Sequence, residues 1–260
     1  MKNHIFIAAL LFLAVQSFAI IGIGGHYAPS LGTKLKASKE KIKTFEVNGE
    51  KVGDVFYDQK GFSGMQGFGF KLWIDLLPFI DVEATYNIQW GSYNADLIIN
   101  QGDTEKIQPL EIELSGVPFG KATPKYVAMN GDLSITYPIT FIPILRPYVG
   151  GGLTYYLNTP VLDKKFVSQF MKKSGDLLLN NENGLDPKKS ADLATALAKE
   201  IAKEGLNKSI GGHLLVGMRA KLPVIPLAAY ANAKYYLGGD FHKDIDYGRF
   251  VFELGAAFAI

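Results

Sequence analysis

The sequence predicts an all-β fold, an eight-stranded antiparallel up-and-down barrel, and three observations lead to this prediction. From Ile80 to Trp90 every second residue is apolar and the residues between are polar, the period of a strand with one apolar face. An alternating run, an apolar turn with proline and a second run recur around Tyr137 to Tyr148 and Leu222 to Tyr230. The chain also has 28 Gly, 17 Phe and 13 Tyr, which favours strands and turns.

The start of the chain has the pattern of a secretory signal peptide. A short basic segment precedes the apolar run Ile5 to Val15, small residues follow, and we expect cleavage after Ala19. Residues 20–260 would then form a single barrel domain. The run is too short to span a membrane as a helix, and no later segment approaches about 18 uninterrupted apolar residues.

Composition and charge exclude several classes of function. The absence of cysteine excludes a disulfide scaffold, a thiolate zinc site, a cysteine nucleophile and lipidation at a cleavage-site cysteine. With 27 basic against 25 acidic residues, the chain gives no reason to expect a nucleic-acid partner. No motif indicates a cofactor.

Eight alternating segments justify the strand count, and each has about ten residues, the length with which a tilted strand crosses a bilayer core. In chain order they are Ile20 to Pro29, Met65 to Ile74, Ile80 to Gly91, Tyr126 to Tyr137, Tyr148 to Leu157, Ile210 to Leu222, Leu227 to Leu237 and Arg249 to Ile260.

The connections alternate between two kinds. Links after the second, fourth and sixth strands are short, apolar and contain proline, whereas those after the others are long and charged, as in barrels with tight turns at one end and large loops at the other. We predict extracellular loops at about 31–62, 94–125, 158–209 and 239–248.

The loops contain local structure of their own. Asn48-Gly49 between strand-like residues predicts a hairpin in the first loop, and 97–99 in the second is expected to extend a neighbouring strand. The third loop predicts helices at 163–173 and between 186 and 205.

The apolar face could line the lumen, as in a soluble lipocalin-like barrel, or face lipid. Long charged side chains share the other face with Gly, Ser, Thr and Asn, which suits a narrow polar lumen and favours the lipid-facing alternative. Aromatic residues also cluster near the strand ends, as in the interfacial girdles of membrane barrels. The predicted girdle consists of Tyr27, Phe68, Trp90, Tyr137, Tyr155, Tyr235, Phe250 and Phe258.

The pattern resembles the small eight-stranded bacterial outer-membrane barrels of the OmpA, OmpX and OmpW type. The final strand, with Phe250, Phe252, Leu254, Phe258 and Ile260, resembles the aromatic signal read by the barrel-assembly machinery, although a terminal Phe is usual where Ile260 stands. The resemblance implies a multi-pass protein of the outer membrane of a Gram-negative cell envelope. Its partners would be the lipid bilayer, lipopolysaccharide and the barrel-assembly machinery.

Charged residues on the inner face predict a plugged lumen, because eight strands enclose only enough space for side chains. Lys71 is expected to lie opposite Glu83. The full predicted network is Lys71, Asp81, Glu83, Asp132, His213, Arg219, Lys221, Lys234 and Glu253. The alternative is a narrow, porin-like transport channel for small or apolar solutes.

Three histidines follow the signal segment, at His26, His213 and His242, and Ser209 lies near the predicted rim. Their spacing identifies neither a nucleophile with its base nor a metal site, so we predict a non-enzymatic protein without catalytic, cofactor or metal residues. A lipid-modifying barrel enzyme is the less favoured alternative. The predicted role is structural or surface interaction, with loop 158–209 as a possible site for an unknown partner.

Overall fold

The structure is a computed structural model. It describes the residue ranges 21–47, 49–77, 79–101, 104–109, 112–113, 121–122, 125–139, 145–161, 163–174, 179–180, 184–185, 196, 200, 205–221 and 225–260.

Strands account for most of the described residues. In chain order they are β1 (Ile21–Tyr27), β2 (Ser30–Leu35), β3 (Ser38–Val47), β4 (Glu50–Gln59), β5 (Phe62–Leu77), β6 (Ile80–Ser92), β7 (Ala95–Gln101), β8 (Thr104–Pro109), β9 (Ile112–Glu113), β10 (Lys121–Ala122), β11 (Lys125–Pro138), β12 (Leu145–Asn158), β13 (Leu179–Asn180), β14 (Gly184–Leu185), β15 (Asn207–Lys221), β16 (Leu227–Gly238), β17 (Ile245–Asp246) and β18 (Phe250–Ala259).

Eight of these strands close into a barrel. Their order is β1–β18–β16–β15–β12–β11–β6–β5, and β5 returns to pair with β1, so each strand has an antiparallel neighbour on both sides. Closure removes the unpaired edge that an open sheet would expose. The predicted fold class, an eight-stranded antiparallel barrel, is confirmed. Short β2 continues β1 beyond Pro29 and pairs with β5, β17 and β18.

The barrel buries its polar face and exposes its apolar face, the reverse of a soluble barrel. Along β11, for example, Asp132, Ser134 and Thr136 are buried, while Leu133 and Ile135 are 57% and 61% exposed. Large apolar side chains are exposed on all eight barrel strands, among them Ile23, Phe70, Ile88, Ile135, Leu153, Leu214, Leu227 and Leu254. An apolar surface of this extent would promote aggregation in water, so it indicates that the outer face of the barrel contacts an apolar solvent such as lipid.

A second sheet lies at the long-loop end of the barrel, with the strand order β3–β4–β7–β8. The β3–β4 hairpin turns at Gly49, which has a φ of +83° and so adopts the left-handed conformation that glycine allows; Asn48 lies outside the described residues. Residues 97–99 were expected to extend a barrel strand. They instead belong to β7, which follows β6 after a break at Tyr93-Asn94 and pairs with β4 and β8.

Helix α1 (Lys164–Ser174) covers the apolar face of this sheet. Asp163 caps it, since the Phe166 N–H donates to Asp163 Oδ1 over 2.8 Å. Val167, Phe170 and Met171 of the helix join one buried apolar cluster with Phe45, Val55, Tyr57, Leu97 and Ile99 of the sheet and with Tyr126 and Ala128 of the barrel mouth. The sheet and helix therefore form a packed cap, which we call the loop cap.

No helix among the described residues is both long enough and apolar enough to span a membrane. The second predicted helix, between 186 and 205, falls mostly outside the described residues. Of that stretch, residues 196 and 200 are helical.

Candidate functional site

The lumen contains a continuous network of nine charged side chains, each with at most 12% of its side chain exposed. Period-two alternation brings them together, because each lies on the inward face of its strand. Its members are Asp75, Asp81, Lys71, Glu83, Asp132, Arg146, Arg219, Lys234 and Glu253. Four cations thus face five carboxylates, a balance that reduces the cost of burying charge.

The half of the network near the short turns is built by two arginines and two aspartates. Arg146 Nη1 lies 2.7 Å from Asp75 Oδ2, and its Nη2 lies 3.1 Å from Asp81 Oδ1. Arg219 Nη1 contacts the same two carboxylates at 3.3 and 3.5 Å. The Arg219 guanidinium also stacks over the Trp73 ring, 4.2 Å from the ring centroid. Both the carboxylates and the aromatic ring therefore fix the position of this guanidinium.

The central half is a chain of alternating charges. Arg219 Nη2 lies 2.7 Å from Glu83 Oε1, and Lys71 Nζ lies 2.8 Å from Glu83 Oε2 and 3.6 Å from Glu253 Oε2. Lys234 Nζ then bridges Glu253 Oε1 at 2.7 Å and Asp132 Oδ2 at 2.8 Å. Each of these carboxylates therefore meets at least one ammonium or guanidinium group.

Neutral groups complete the hydrogen bonding. Tyr236 OH donates to Asp132 Oδ2 over 2.8 Å, Asn232 Nδ2 donates to Glu253 Oε2 over 2.6 Å, and Asn87 Nδ2 donates to Glu253 Oε1 over 3.1 Å. Tyr148 OH donates to Asn232 Oδ1. The charges are thereby surrounded by donors with fixed geometry, as buried ions require.

Seven of the nine predicted network residues belong to this ion-pair network, and His213 and Lys221 do not; His213 is instead hydrogen-bonded to Ser134 and Thr154. Lys221 lies half-buried at the turn end of β15 and takes no part in the ion-pair chain described above. Lys71 and Glu83 do make contact, but not as directly opposite residues, because the β5–β6 register pairs Lys71 with Thr85 and Trp73 with Glu83. The ion pair is therefore diagonal.

Two members of the network, Asp75 and Arg146, were not predicted because both lie just beyond the predicted strand ends. The second and fifth segments were expected to end at Ile74 and to begin at Tyr148. The strands extend past both points, and β5 carries an irregularity between Asp75 and Leu77. Every second residue of β5 faces inward, and this series runs from Lys71 through Trp73 to Asp75. The period-two pattern could therefore have identified Asp75 as a lumen residue.

Two lumen histidines are hydrogen-bonded to neutral residues. His26 Nε2 lies 2.6 Å from Asn87 Oδ1, and its Nδ1 lies 2.8 Å from Tyr230 OH. His213 Nε2 lies 2.8 Å from Ser134 Oγ, and its Nδ1 lies 2.9 Å from Thr154 Oγ1.

The Ser134–His213 contact resembles part of a hydrolytic triad, and the sequence did not reveal it because the two residues are 79 positions apart. Thr154 donates to Asp132 Oδ1 over 2.8 Å, whereas His213 Nδ1 is 3.9 Å from that atom, so no direct His–Asp bond completes a triad. Ser134 is fully buried and His213 is 2% exposed, which leaves no approach for a substrate carbonyl to this hydroxyl.

His242 lies at the loop end, and its ring nitrogens, with the carboxylates of Asp163 and Asp244, form a cluster of possible metal ligands. Asp163 Oδ1 already caps helix α1, and Lys243 Nζ lies 3.4 Å from Asp163 Oδ2. The Lys243 ammonium already neutralises the Asp163 carboxylate. The cluster is therefore best explained as a structural contact that holds the 242–244 segment against the start of helix α1.

The predicted girdle residues all lie on the outer face. At the long-loop end the Phe68 ring contacts the Tyr27 and Trp90 rings, with centroids 5.8 and 5.9 Å apart, and Tyr235 packs on Phe250 at 4.9 Å. The remaining three are exposed side chains, Tyr155 near the long loops and Tyr137 and Phe258 near the turns.

A polar cleft of about 760 Å³ lies at the loop end between β3, helix α1 and the 243–244 segment. Lysines from several elements line it, namely Lys36, Lys39, Lys165, Lys172 and Lys243, together with the acids Glu40, Asp163 and Asp244. Tyr57 forms part of its wall, where burial raises the pKa of the phenol.

The closed barrel, the outward apolar surface and the polar lumen together define an integral β-barrel of the outer-membrane type. The predicted resemblance to small eight-stranded outer-membrane barrels is confirmed at the level of the fold, and the predicted location in the outer membrane agrees with it.

Comparisons with solved structures find bacterial outer-membrane proteins at low identity and with TM-scores under 0.5. OprG, an outer membrane protein of Pseudomonas aeruginosa, is 12% identical with a TM-score of 0.43 over 94% of this chain and 97% of its own. Ail, the attachment invasion locus protein of Yersinia pestis, solved with the heparin analogue sucrose octasulfate, is 9% identical with a TM-score of 0.39 over 94% and 99%. The outer membrane protease OmpT of Escherichia coli is 11% identical with a TM-score of 0.28 over 92% and 97%. No protein-family model matches the chain, and no curated protein matches it either.

Proposed function

We propose that this protein is a non-enzymatic outer-membrane barrel, closed to solutes, that anchors the loop cap at the cell surface for a structural or interaction role. The observation that carries the proposal is the nine-charge network across the lumen. Its chain of ion pairs runs from Arg146 near the turns to Asp132 near the centre of the lumen. Large buried side chains such as Tyr148 and Tyr236 lie among these charges. Eight strands leave little room around such groups.

Single-channel recording in planar bilayers tests the closed state. We expect no steady conductance from the purified wild-type protein. A double variant, Arg146→Ala with Arg219→Ala, removes both cations of the turn-side half and should produce conductance events. Lys60→Ala, which removes an exposed loop lysine, is the matched control and should resemble the wild type.

A large, steady single-channel level from the wild type would contradict the plug and favour the alternative, a narrow channel for small or apolar solutes. Uptake assays in proteoliposomes would then identify the solute class.

The non-enzymatic part of the proposal is supported by the burial of Ser134 and His213. The test is hydrolysis of lipid A and phospholipid esters in vesicles, for which we expect no turnover. Turnover that is lost in both Ser134→Ala and His213→Ala, while both variants stay folded, would show that the protein is a lipid-modifying enzyme.

The surface role is supported by the loop-end cleft, where five lysines and three acids lie around a space large enough for sugar-sized groups. Anionic lipopolysaccharide sugars fit this charge pattern. We expect Lys165→Glu with Lys172→Glu to weaken binding of purified lipopolysaccharide to detergent-solubilised protein. Lys51→Glu, on the β3–β4 hairpin outside the cleft lining, is the control, and equal binding by both variants would contradict a role for the cleft.

The processing and boundaries also belong to this proposal. Residues 1–19 would be a cleaved signal peptide, residues 20–260 one barrel domain, and the last strand the part read by the barrel-assembly machinery. Intact-mass analysis of the protein from the membrane fraction tests the first point, with a mass that begins at Ile20 as the expected result.

A further inference from the structure

A slot of about 680 Å³ crosses the outer face of the barrel. It runs between two rows of outward side chains, and the strand register places the members of each row directly beside one another. The row on the loop side is Phe70, Tyr86, Gly131, Tyr155 and Ile210. The row on the turn side is aliphatic and includes Ala84 and Leu133. The slot is therefore an apolar feature of the face that contacts lipid.

Gly131 opens the middle of the slot. A Cβ atom at Gly131 would meet no other atom within 4 Å. Its neighbours in the row, Tyr86 and Tyr155, carry large rings, so Gly131 leaves a gap between them. Thr85 and Asp132 also line the slot although their side chains are buried toward the lumen, and the floor is therefore strand backbone. A slim apolar chain can thus reach the sheet itself between the two rows.

The slot has the length and direction of a chain in one lipid leaflet. It crosses six neighbouring strands, from β1 to β15, which is five spacings of about 4.8 Å or roughly 24 Å in all. Because barrel strands tilt by about 40°, a line at right angles to them rises roughly 15 Å, half of a hydrocarbon core about 30 Å thick. Phe70 lies in the middle of β5, whereas Ile210 lies near the loop-side end of β15. The slot therefore rises from the centre of the membrane toward the long loops.

A cation lies at the upper end of the slot. Lys208 is exposed on the same face of β15 as Ile210, one step closer to the loops. The register places Lys208 beside Leu157, in the row above Tyr155 and Ile210. The long loops of such barrels face the cell exterior, and the outer-membrane environment includes lipopolysaccharide, whose phosphates are anionic. The charge at this end therefore complements the headgroup of a lipid in the loop-side leaflet.

We propose that the slot is a discrete binding site for one acyl chain of lipid A, the membrane anchor of lipopolysaccharide, with Lys208 facing a lipid A phosphate. A lipid elsewhere on the outer face packs against side chains alone, whereas a chain in the slot also packs against backbone at Gly131 and is held between both rows. The larger contact makes this chain exchange more slowly than the surrounding lipid. The site uses only the outer face of the barrel, so it does not depend on the closed lumen or on the loop-end cleft proposed above.

Filling the slot tests the proposal. Gly131→Leu places a branched apolar side chain in the open space, and it needs no unusual backbone because Gly131 does not have a positive φ. Native mass spectrometry of the purified protein, incubated with purified lipid A in detergent, counts the lipids that remain bound. We expect one retained lipid A on the wild type and an apparent dissociation constant about tenfold higher for Gly131→Leu.

Two further variants keep this test independent of folding defects. Ala84→Leu fills the slot from the other row and should also weaken lipid A binding. Ala231→Leu adds the same side chain to the outer face of β16, outside the slot, and should bind lipid A like the wild type. Heat-modifiable gel mobility shows whether each variant is folded. Equal lipid A retention by the wild type and by the folded slot-filling variants overturns the proposal.

The phosphate contact has a test of its own. Lys208→Gln should raise the dissociation constant for lipid A about threefold and leave that for dephosphorylated lipid A unchanged. Lys51→Gln, which removes an exposed lysine of the loop cap, is the control. An equal effect of Lys208→Gln on both forms of lipid A, or no effect on either, overturns the assignment of the headgroup to Lys208.

Other occupants of the slot give different results. Equal retention of phosphatidylethanolamine and lipid A by the wild type would show general lipid contact, and a dimer that separates in Gly131→Leu would show that a second copy fills the slot. Either result overturns the proposal. The cleft variant, Lys165→Glu with Lys172→Glu, should still retain lipid A. Loss of lipid A in that variant alone would assign the binding to the loop-end cleft and overturn the slot as the site.

Discussion

Two ion-pair clusters in this molecule have nearly the same geometry and opposite surroundings. In the lumen, Lys71 Nζ lies 2.8 Å from Glu83, and neither side chain is exposed. In the loop cap, Asp54 accepts Lys41 at 2.8 Å and Lys51 at 2.7 Å, with 47% and 58% of the two lysine side chains exposed. The N–O distances alone therefore do not show which cluster contributes more to stability. In the lumen, loss of one partner leaves a charge that water cannot reach, whereas in the loop cap water replaces the lost partner.

The largest expected effect comes from breaking the buried cluster. Lys71→Met leaves Glu83 and Glu253 with one cation fewer, and we expect a loss of about 3–5 kcal/mol in the free energy of unfolding. Lys51→Met, the matched change in the loop cap, should cost no more than about 1 kcal/mol. Urea unfolding in detergent micelles, followed by heat-modifiable gel mobility, measures both. If both variants lost the same free energy of unfolding, burial would not make the lumen cluster more important for stability than the exposed cluster.

A charge placed on the outer face of the barrel tests which solvent surrounds that face. Leu133 is 57% exposed near the middle of β11, and Leu133→Arg should cost about 2–4 kcal/mol in a bilayer because the cation would lie in lipid. Ile107, 59% exposed on β8 of the loop cap, is the control, and Ile107→Arg should change stability by no more than about 0.5 kcal/mol. The measurement is reversible unfolding from lipid vesicles. If Leu133→Arg is as well tolerated as Ile107→Arg, the outer face does not contact lipid.

A double-mutant cycle separates the Lys71–Glu83 interaction from the cost of burying each group. Lys71→Met combined with Glu83→Gln should cost less than the sum of the single variants, with a coupling free energy of about 0.5–3 kcal/mol, because neither partner is then left without the other. The control cycle pairs Lys71→Met with Lys51→Met, whose sites share no contact. Additive costs in the first cycle would show that Lys71 and Glu83 do not interact energetically.

The sequence predicted the barrel well because the barrel obeys one rule. Period-two alternation between a polar and an apolar face depends only on local geometry, so residues such as Glu83, Arg219 and Leu133 could be assigned to a face without knowledge of any neighbour.

Features that depend on pairing between distant segments were not predictable in the same way. The contact between Ser134 and His213, the slot beside Gly131 and the diagonal position of Lys71 all follow from strand register and barrel stagger. The loop-cap sheet was missed for a related reason, since β4 and β7 are separated by a barrel hairpin and only their pairing turns two loops into one sheet.

The smallest expected effect concerns the exposed cluster in acid. The hydrogen bonds from Lys41, then from Lys51 and Thr44, hold the pKa of Asp54 well below its ordinary value of 3.8. A carboxyl group with a depressed folded-state pKa contributes stability above its unfolded value and loses that contribution as pH falls toward its folded value. Asp54→Asn should therefore reduce the melting temperature slightly at pH 5, and the difference from the wild type should shrink progressively below pH 3.8. Thermal unfolding of both proteins at a series of pH values measures this. A difference that grows in acid would mean that Asp54 is not stabilised as a carboxylate and that its contacts with Lys41 and Lys51 contribute nothing to the loop cap.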